Sequence, residues 1–120
     1  LAEAMLACCE NRLADCEMTW SDDHAVCVVM ASGGYPGSYE KGKVITGIDA
    51  AEETGALVFH AGTRRQGDDL VTAGGRVLGV TAMAPDTAMA VERAYAAVDR
   101  IEWEDVYYRR DIAYRALQRL

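Results

Sequence analysis

An unbroken apolar run, Ala25-Val26-Cys27-Val28-Val29-Met30, leads directly into Ala31-Ser32-Gly33-Gly34-Tyr35-Pro36-Gly37-Ser38-Tyr39-Glu40-Lys41-Gly42. A short apolar run closed off by turn residues reads as a buried strand. The loop after it holds four glycines and a proline. A tight turn needs only one or two residues that tolerate positive φ. The surplus points to a backbone shaped so that something can approach it closely. Pro36-Gly37 suits the centre of a type II turn, with Tyr35 held extended before the proline. The N–H groups of Gly33, Gly34 and Tyr35 are then candidates to line an anion or a carboxylate. The plainer alternative is a strand-to-strand turn, for which Gly33 and Gly34 are unnecessary.

At 120 residues the chain is long enough to bury a core. No apolar run approaches the roughly 20 residues that span a bilayer, so no membrane partner is expected. The net charge of −7 argues against a nonspecific nucleic-acid binder, which needs a basic face to displace counterions. It leaves room for a small anionic ligand held by local arginines. The start, Leu1-Ala2-Glu3-Ala4-Met5, lacks the basic segment of a secretory signal. It also lacks an initiator methionine and reads as a piece of something longer, cut inside a helix. Cys8, Cys9, Cys16 and Cys27 have no metal-ligand spacing, and no histidine completes a set. They are expected to be reduced, small core residues of a cytoplasmic protein.

Helical spacing over residues 1–17 places Leu1, Met5, Cys9, Leu13 and Cys16 on one face. The polar break Trp20-Ser21-Asp22-Asp23-His24 is the best domain boundary, giving 1–20 and 21–120. Strands are expected at 25–32, 44–48, 56–61, 68–73 and 76–83, the last two joined in a tight hairpin by Gly74-Gly75. Asp86 or Thr87 caps a helix with Ala88, Val91, Ala94, Tyr95, Val98 and Ile101 on its apolar face. Residues 103–108 fit an edge strand, and Asp111 caps a last helix through Leu120. Strands in the middle and helices at the ends imply an α+β fold with a mostly antiparallel sheet and flanking helices.

Two further loops carry polar chemistry. In Val58-Phe59-His60-Ala61-Gly62-Thr63, His60 stands near a strand end, where it can donate a hydrogen bond or move a proton. No nucleophile lies beside it, and a lone histidine on a strand is more often structural. Gly62 and Thr63 offer an N–H and a hydroxyl to a phosphate. In Thr72-Ala73-Gly74-Gly75-Arg76, the Arg76 guanidinium beside two glycine N–H groups makes a phosphate fork. Glu40, Lys41 and Lys43 read as a solvated charged face. There is no Walker loop, dinucleotide fingerprint or nucleophile elbow. Residue chemistry by itself gives a small α+β domain that binds an anionic metabolite.

The segments ASGGYPGSYEKG (31–42), VFHAGT (58–63), VTAGGRVLGVTA (71–82) and DIAYRAL (111–117) occur in that order. Together they resemble the C-terminal domain of the phosphoribosylamine–glycine ligase family, over about Val26 to Leu117. The resemblance implies a rudimentary single-hybrid, barrel-like domain on the substrate side of an ATP-grasp ligase. It also implies that residues 1–20 are the terminal helix of the preceding ATP-grasp domain, on which residues 21–120 pack. The family joins glycine to 5-phosphoribosylamine with ATP, giving glycinamide ribonucleotide in purine biosynthesis. ATP and Mg2+ or Mn2+ are implied for the full-length enzyme, with their ligands outside this chain. No catalytic or metal residue is therefore expected here, and the isolated region is expected to be inactive. The substrate-binding set implied is Gly33, Gly34, Tyr35, Pro36, His60, Gly62, Thr63, Gly74, Gly75 and Arg76. The competing readings are a free-standing phosphosugar-binding module and a domain whose glycine loops serve only the fold. Ala113 and Ala84 stand where the family usually has glycine.

Overall fold

The computed structural model describes residues 1–119. In chain order the elements are α1 (Ala2–Cys9), β1 (His24–Ser32), α2 (Ile48–Glu52), β2 (Leu57–His60), β3 (Thr63–Gln66), β4 (Asp69–Thr72), β5 (Arg76–Ala84), α3 (Thr87–Val98), β6 (Val106–Tyr108) and α4 (Tyr114–Leu117). A four-stranded sheet has the order β2-β5-β1-β6, and β3 and β4 form a separate ribbon. Every pairing is antiparallel, as an α+β fold of this kind requires. The larger sheet is open, with β2 and β6 as its edges.

The apolar run of β1 forms the centre because β5 pairs along its whole length, with Val26 opposite Ala82, Val28 opposite Val80 and Met30 opposite Leu78. Side chains alternate across a strand, so these pairs share one face. That face is covered by α3 through Ala90, Ala94, Ala97 and Val98, all fully buried. Alanines at these positions let the helix lie close to the sheet. Each buried valine or methionine beneath it contributes about 1.5–3 kcal/mol. Asp86 is the N-cap: its backbone is extended and its carboxylate accepts the Met89 N–H at 2.8 Å. Ala88, expected on the apolar face, is exposed, since the buried stripe runs through Ala90 and Ala97 instead. The Tyr95 hydroxyl ties the C-terminal segment to α3, donating to the Arg109 carbonyl at 2.6 Å and accepting the Ile112 N–H at 3.2 Å.

Several sequence expectations are corrected. Gly74-Gly75 does not close a hairpin, because β4 pairs with β3 and β5 pairs with β1 and β2. The two-residue hairpin lies earlier, at Gly67-Asp68, where Gln66 faces Asp69. Residues 44–48 are not a strand: Val44 bridges Val71, Thr46 bridges Glu102, and α2 starts at Ile48. The helix over 1–17 stops at Cys9 and resumes only as a single 3-10 turn at Leu13–Asp15. Its apolar positions therefore never gather on one face, and Leu1, Met5, Leu6 and Leu13 are exposed. The cysteines are not core residues either. Cys8, Cys9 and Cys27 are exposed and Cys16 is half-buried.

Asp111 does not cap the last helix. Its carboxylate is gripped by the Arg109 guanidinium at 2.7 and 2.8 Å, a hydrogen bond that holds it below the usual carboxylate range. The N-cap position belongs to Ala113, at φ +65°, and the expected end at Leu120 lies outside the described residues. An L-residue in the left-handed region costs about 1–2 kcal/mol, a cost that glycine would avoid. Ala113→Gly is therefore expected to stabilise the region by about 0.5–1 kcal/mol, the strain relieved less glycine's greater unfolded-state entropy. A rise in the urea midpoint at unchanged m-value measures it. A lower midpoint would mean that the turn does not need glycine.

Candidate functional site

Ser32, the last residue of β1, is 4% exposed and faces the turn before β5. Its N–H donates to the Gly75 carbonyl at 2.8 Å and its hydroxyl donates to the Gly74 carbonyl at 2.9 Å. On the other side, Gly62 N–H donates to the Arg76 carbonyl at 2.9 Å, and Ala73 N–H donates to the Gly62 carbonyl at 2.7 Å. The three glycine segments thus form one backbone mesh at the end of the sheet where β1 and β2 finish and β5 begins. The fit is close. A Cβ on Gly62 would come within 2.7 Å of Gly74 Cα, and one on Gly75 would overlap the Tyr35 ring, which lies directly on that residue.

The turn geometry differs from the expected one. Tyr35 N–H donates to the Ser32 carbonyl at 3.1 Å, closing a turn at Ser32–Tyr35. Gly34, at its third position, has φ +92°, the conformation a type II turn demands there. Gly34 rather than Gly37 carries the positive φ, and the Tyr35–Pro36 peptide is cis. Two expected donors are already committed, the N–H of Tyr35 to Ser32 and that of Gly62 to Arg76. The N–H groups of Gly33, Gly34, Gly74 and Gly75 find no acceptor among the described residues.

Arg76 is exposed and forms no ion pair among the described residues. A bulge places it: the register shifts between Met30 and Ala31, so Arg76, not Val77, pairs with Ala31. Val77 stays fully buried. Bulges commonly re-aim a side chain in this way. His60 and Thr63 form their own contact, Nδ1 to Oγ1 at 3.1 Å. His60 opens onto a separate groove shared with Arg65, Asp68 and Asp69, so it does not join the glycine mesh there.

Sequence reasoning missed a neighbouring cleft of about 240 Å³ between the Gly33 loop and Trp103-Glu104-Asp105. Asp105 has φ +63° and packs on Gly33, where a Cβ would lie 2.7 Å from the Asp105 carbonyl oxygen. Aspartate tolerates this region better than most residues, but nothing in the local sequence marks the contact. Lys43 lines the cleft and bridges Glu104 and Glu40, each at 2.8 Å. The Glu104 hydrogen bond, followed by that of Glu40, raises the Lys43 pKa and keeps the ammonium charged. The hydrogen bond from Lys43 lowers the pKa of Glu40. Glu40 and Lys41 are exposed, as a solvated charged face requires, while the half-buried Lys43 also clasps two loops together. Among the described residues, no three His, Cys, Asp or Glu side chains are placed to hold a metal ion, and no helix is long and apolar enough to cross a membrane.

The family model described as phosphoribosylglycinamide synthetase, C domain, matches residues 25–115. Among curated proteins, the chloroplastic phosphoribosylamine–glycine ligase of Arabidopsis thaliana is 50% identical over 98% of this chain and 23% of its own length. The phosphoribosylamine–glycine ligase of Allochromatium vinosum is 50% identical over 99% of this chain and 28% of its own. That of Escherichia coli is 47% identical with the same two coverages. The chain spans about a quarter of the length of the curated relatives it matches. Among solved structures, phosphoribosylamine–glycine ligase from Thermotoga maritima superposes with a TM-score of 0.74 at 32% identity, covering 91% of this chain and 27% of that one. With the same domain recovered by sequence and by backbone shape, the chain belongs to the phosphoribosylglycinamide synthetase C-domain family.

Proposed function

We propose that this region is the substrate-side part of an ATP-dependent ligase that joins glycine to 5-phosphoribosylamine, forming glycinamide ribonucleotide in purine biosynthesis. The observation that carries the reading is the mesh of Gly33–Pro36, Gly62 and Gly74–Arg76, with N–H groups that find no acceptor and an exposed guanidinium that forms no ion pair among the described residues, at one end of the sheet. That combination suits a sugar phosphate: backbone N–H groups cradle an anion and arginine binds it as a fork. In this reading Arg76 and the N–H groups of Gly74 and Gly75 hold the phosphate. Gly33, Gly34, Tyr35 and Pro36 form the adjoining wall, and the hydroxyl of Thr63, oriented by His60, borders it.

ATP with magnesium or manganese supplies the phosphoryl group that activates the glycine carboxylate, in the part of the ligase outside this region. The residues here position the amine that attacks the activated carboxyl carbon as phosphate leaves. Holding two reactants in place is worth up to several kcal/mol. We further propose that residues 1–20 belong to the preceding ATP-grasp domain, that residues 21–120 pack on it, and that the isolated region is inactive. The enzyme is placed in the cytoplasm by the same reading.

Amide hydrogen exchange on the full-length ligase tests the site. Glycinamide ribonucleotide is expected to slow exchange at Gly33, Gly34, Gly74 and Gly75 by at least about tenfold, since an amide that donates to bound ligand exchanges from the ligand-free fraction. Unchanged exchange at all four amides under saturating ligand would refute the assignment.

A further inference from the structure

Ser32 and Thr72 are the two buried polar side chains among the described residues. The Thr72 hydroxyl accepts the Lys43 N–H at 3.1 Å and so serves the segment around Lys43. Ser32 has a different partner. It is not among the residues proposed above to contact the sugar phosphate, yet its hydroxyl donates to the Gly74 carbonyl at 2.9 Å. No backbone N–H among the described residues donates to that oxygen. The Gly75 carbonyl, by contrast, accepts the Ser32 backbone N–H at 2.8 Å, which any residue but proline would supply. What the serine side chain adds is therefore confined to one peptide unit, the one joining Gly74 to Gly75.

That unit is trans, since Tyr35–Pro36 is the cis peptide bond among the described residues. In a trans peptide the C=O and the N–H point in opposite directions. With the Gly74 carbonyl turned to Ser32, the Gly75 N–H is turned away from it. That N–H has no acceptor among the described residues although Gly75 is buried, and buried backbone N–H groups nearly always have one. The close fit of Gly62 on Gly74 and of the Tyr35 ring on Gly75 sets where the two glycines sit. It does not set which way the peptide between them faces, because neither glycine has a side chain to oppose its rotation. Turned over, the unit would aim a carbonyl oxygen rather than an N–H at an anion. We infer that Ser32 is a positioning residue for the phosphorylated substrate: its hydroxyl anchors the Gly74 carbonyl and so holds the Gly75 N–H ready to donate to the sugar phosphate. The inference deepens the substrate reading above and rests on it. A donor already aimed before binding needs no ordering when the ligand arrives, so the serine acts on the affinity for phosphoribosylamine and not on that for glycine.

The test uses variants of the full-length ligase. Ser32→Ala is expected to raise the KM for phosphoribosylamine about threefold to tenfold, the change that loss of one neutral hydrogen bond supports, with the KM for glycine unchanged. Ser32→Thr keeps the hydroxyl and should restore the wild-type value. Ser32→Val has the shape of threonine without the hydroxyl and should not. A hydroxyl that served the fold alone would shift both KM values together or neither. Equal KM values for phosphoribosylamine in the Thr and Val variants overturn the inference, as does an equal rise for both substrates in Ser32→Ala. Should Thr and Val prove too large for this buried position, the KM split in Ser32→Ala still decides. Amide exchange in the wild type separates this failure from that of the substrate reading. Protection of the Gly75 amide by glycinamide ribonucleotide, together with an unchanged KM in Ser32→Ala, removes Ser32 and leaves the site standing. Absence of that protection removes both.

Discussion

Replacing Gly34 by alanine is expected to destabilise this region by about 3 kcal/mol or more. Two costs add. At φ +92° an L-residue loses about 1–2 kcal/mol. In addition, the new Cβ would overlap the carbonyl oxygen of Ser38. That oxygen is backbone, so it cannot swing aside as a flexible side chain would. Gly42 provides the control, with φ +83° and open space around the missing Cβ. Gly42→Ala should therefore cost only the conformational term, about 1–2 kcal/mol. Urea midpoints of the two variants separate the terms. Equal losses would show that Ser38 gives way and that the turn is softer than its geometry implies. The consequence extends beyond the turn, because Ser32 at its start holds the Gly74 and Gly75 carbonyls. A displaced Gly34 loop would thus shift the segment that carries Arg76.

How much of this was legible in the sequence follows from the range of the interactions involved. The strands β1 and β5 and the capped start of α3 could be read, because an apolar run or an N-cap aspartate is a local signal. The α+β class and the antiparallel sheet followed from the order of these elements. Gly74-Gly75 misled, since two glycines suit a hairpin and a passage between sheets equally well. Only the pairing of β5 with β1, more than forty residues away, decides between them. Strand β3, Thr-Arg-Arg-Gln, has no apolar alternation to reveal it; its partner β4 and the Gly67-Asp68 turn make it a strand. The glycine loops were legible as candidate binding segments. Their meeting was not, because it depends on Tyr35 lying on Gly75 and on Ser32 reaching Gly74. Nor was the clasp of Lys43 with Glu104, which joins residues 61 positions apart.

In the full-length ligase, Arg76→Ala is expected to raise the KM for phosphoribosylamine by about tenfold to a hundredfold, with the KM for glycine unchanged. A hydrogen bond to a charged group is worth about 1.5–3 kcal/mol, and that range converts to this change in KM when the lost contact is made equally in the ground and transition states. The fold should survive, because the guanidinium is exposed and forms no ion pair among the described residues. Its backbone contribution, the carbonyl that receives Gly62 N–H, is untouched by the substitution. Arg76→Lys should recover only part of the loss, since an ammonium keeps the charge but not the planar fork. Added salt should weaken phosphoribosylamine binding in the wild type more than in Arg76→Ala, as a lost ionic contact requires. An unchanged KM for phosphoribosylamine would remove Arg76 from the phosphate site. An equal rise for both substrates would instead make it a residue that shapes the cleft, and the phosphate would then have to be held by a cation outside this region.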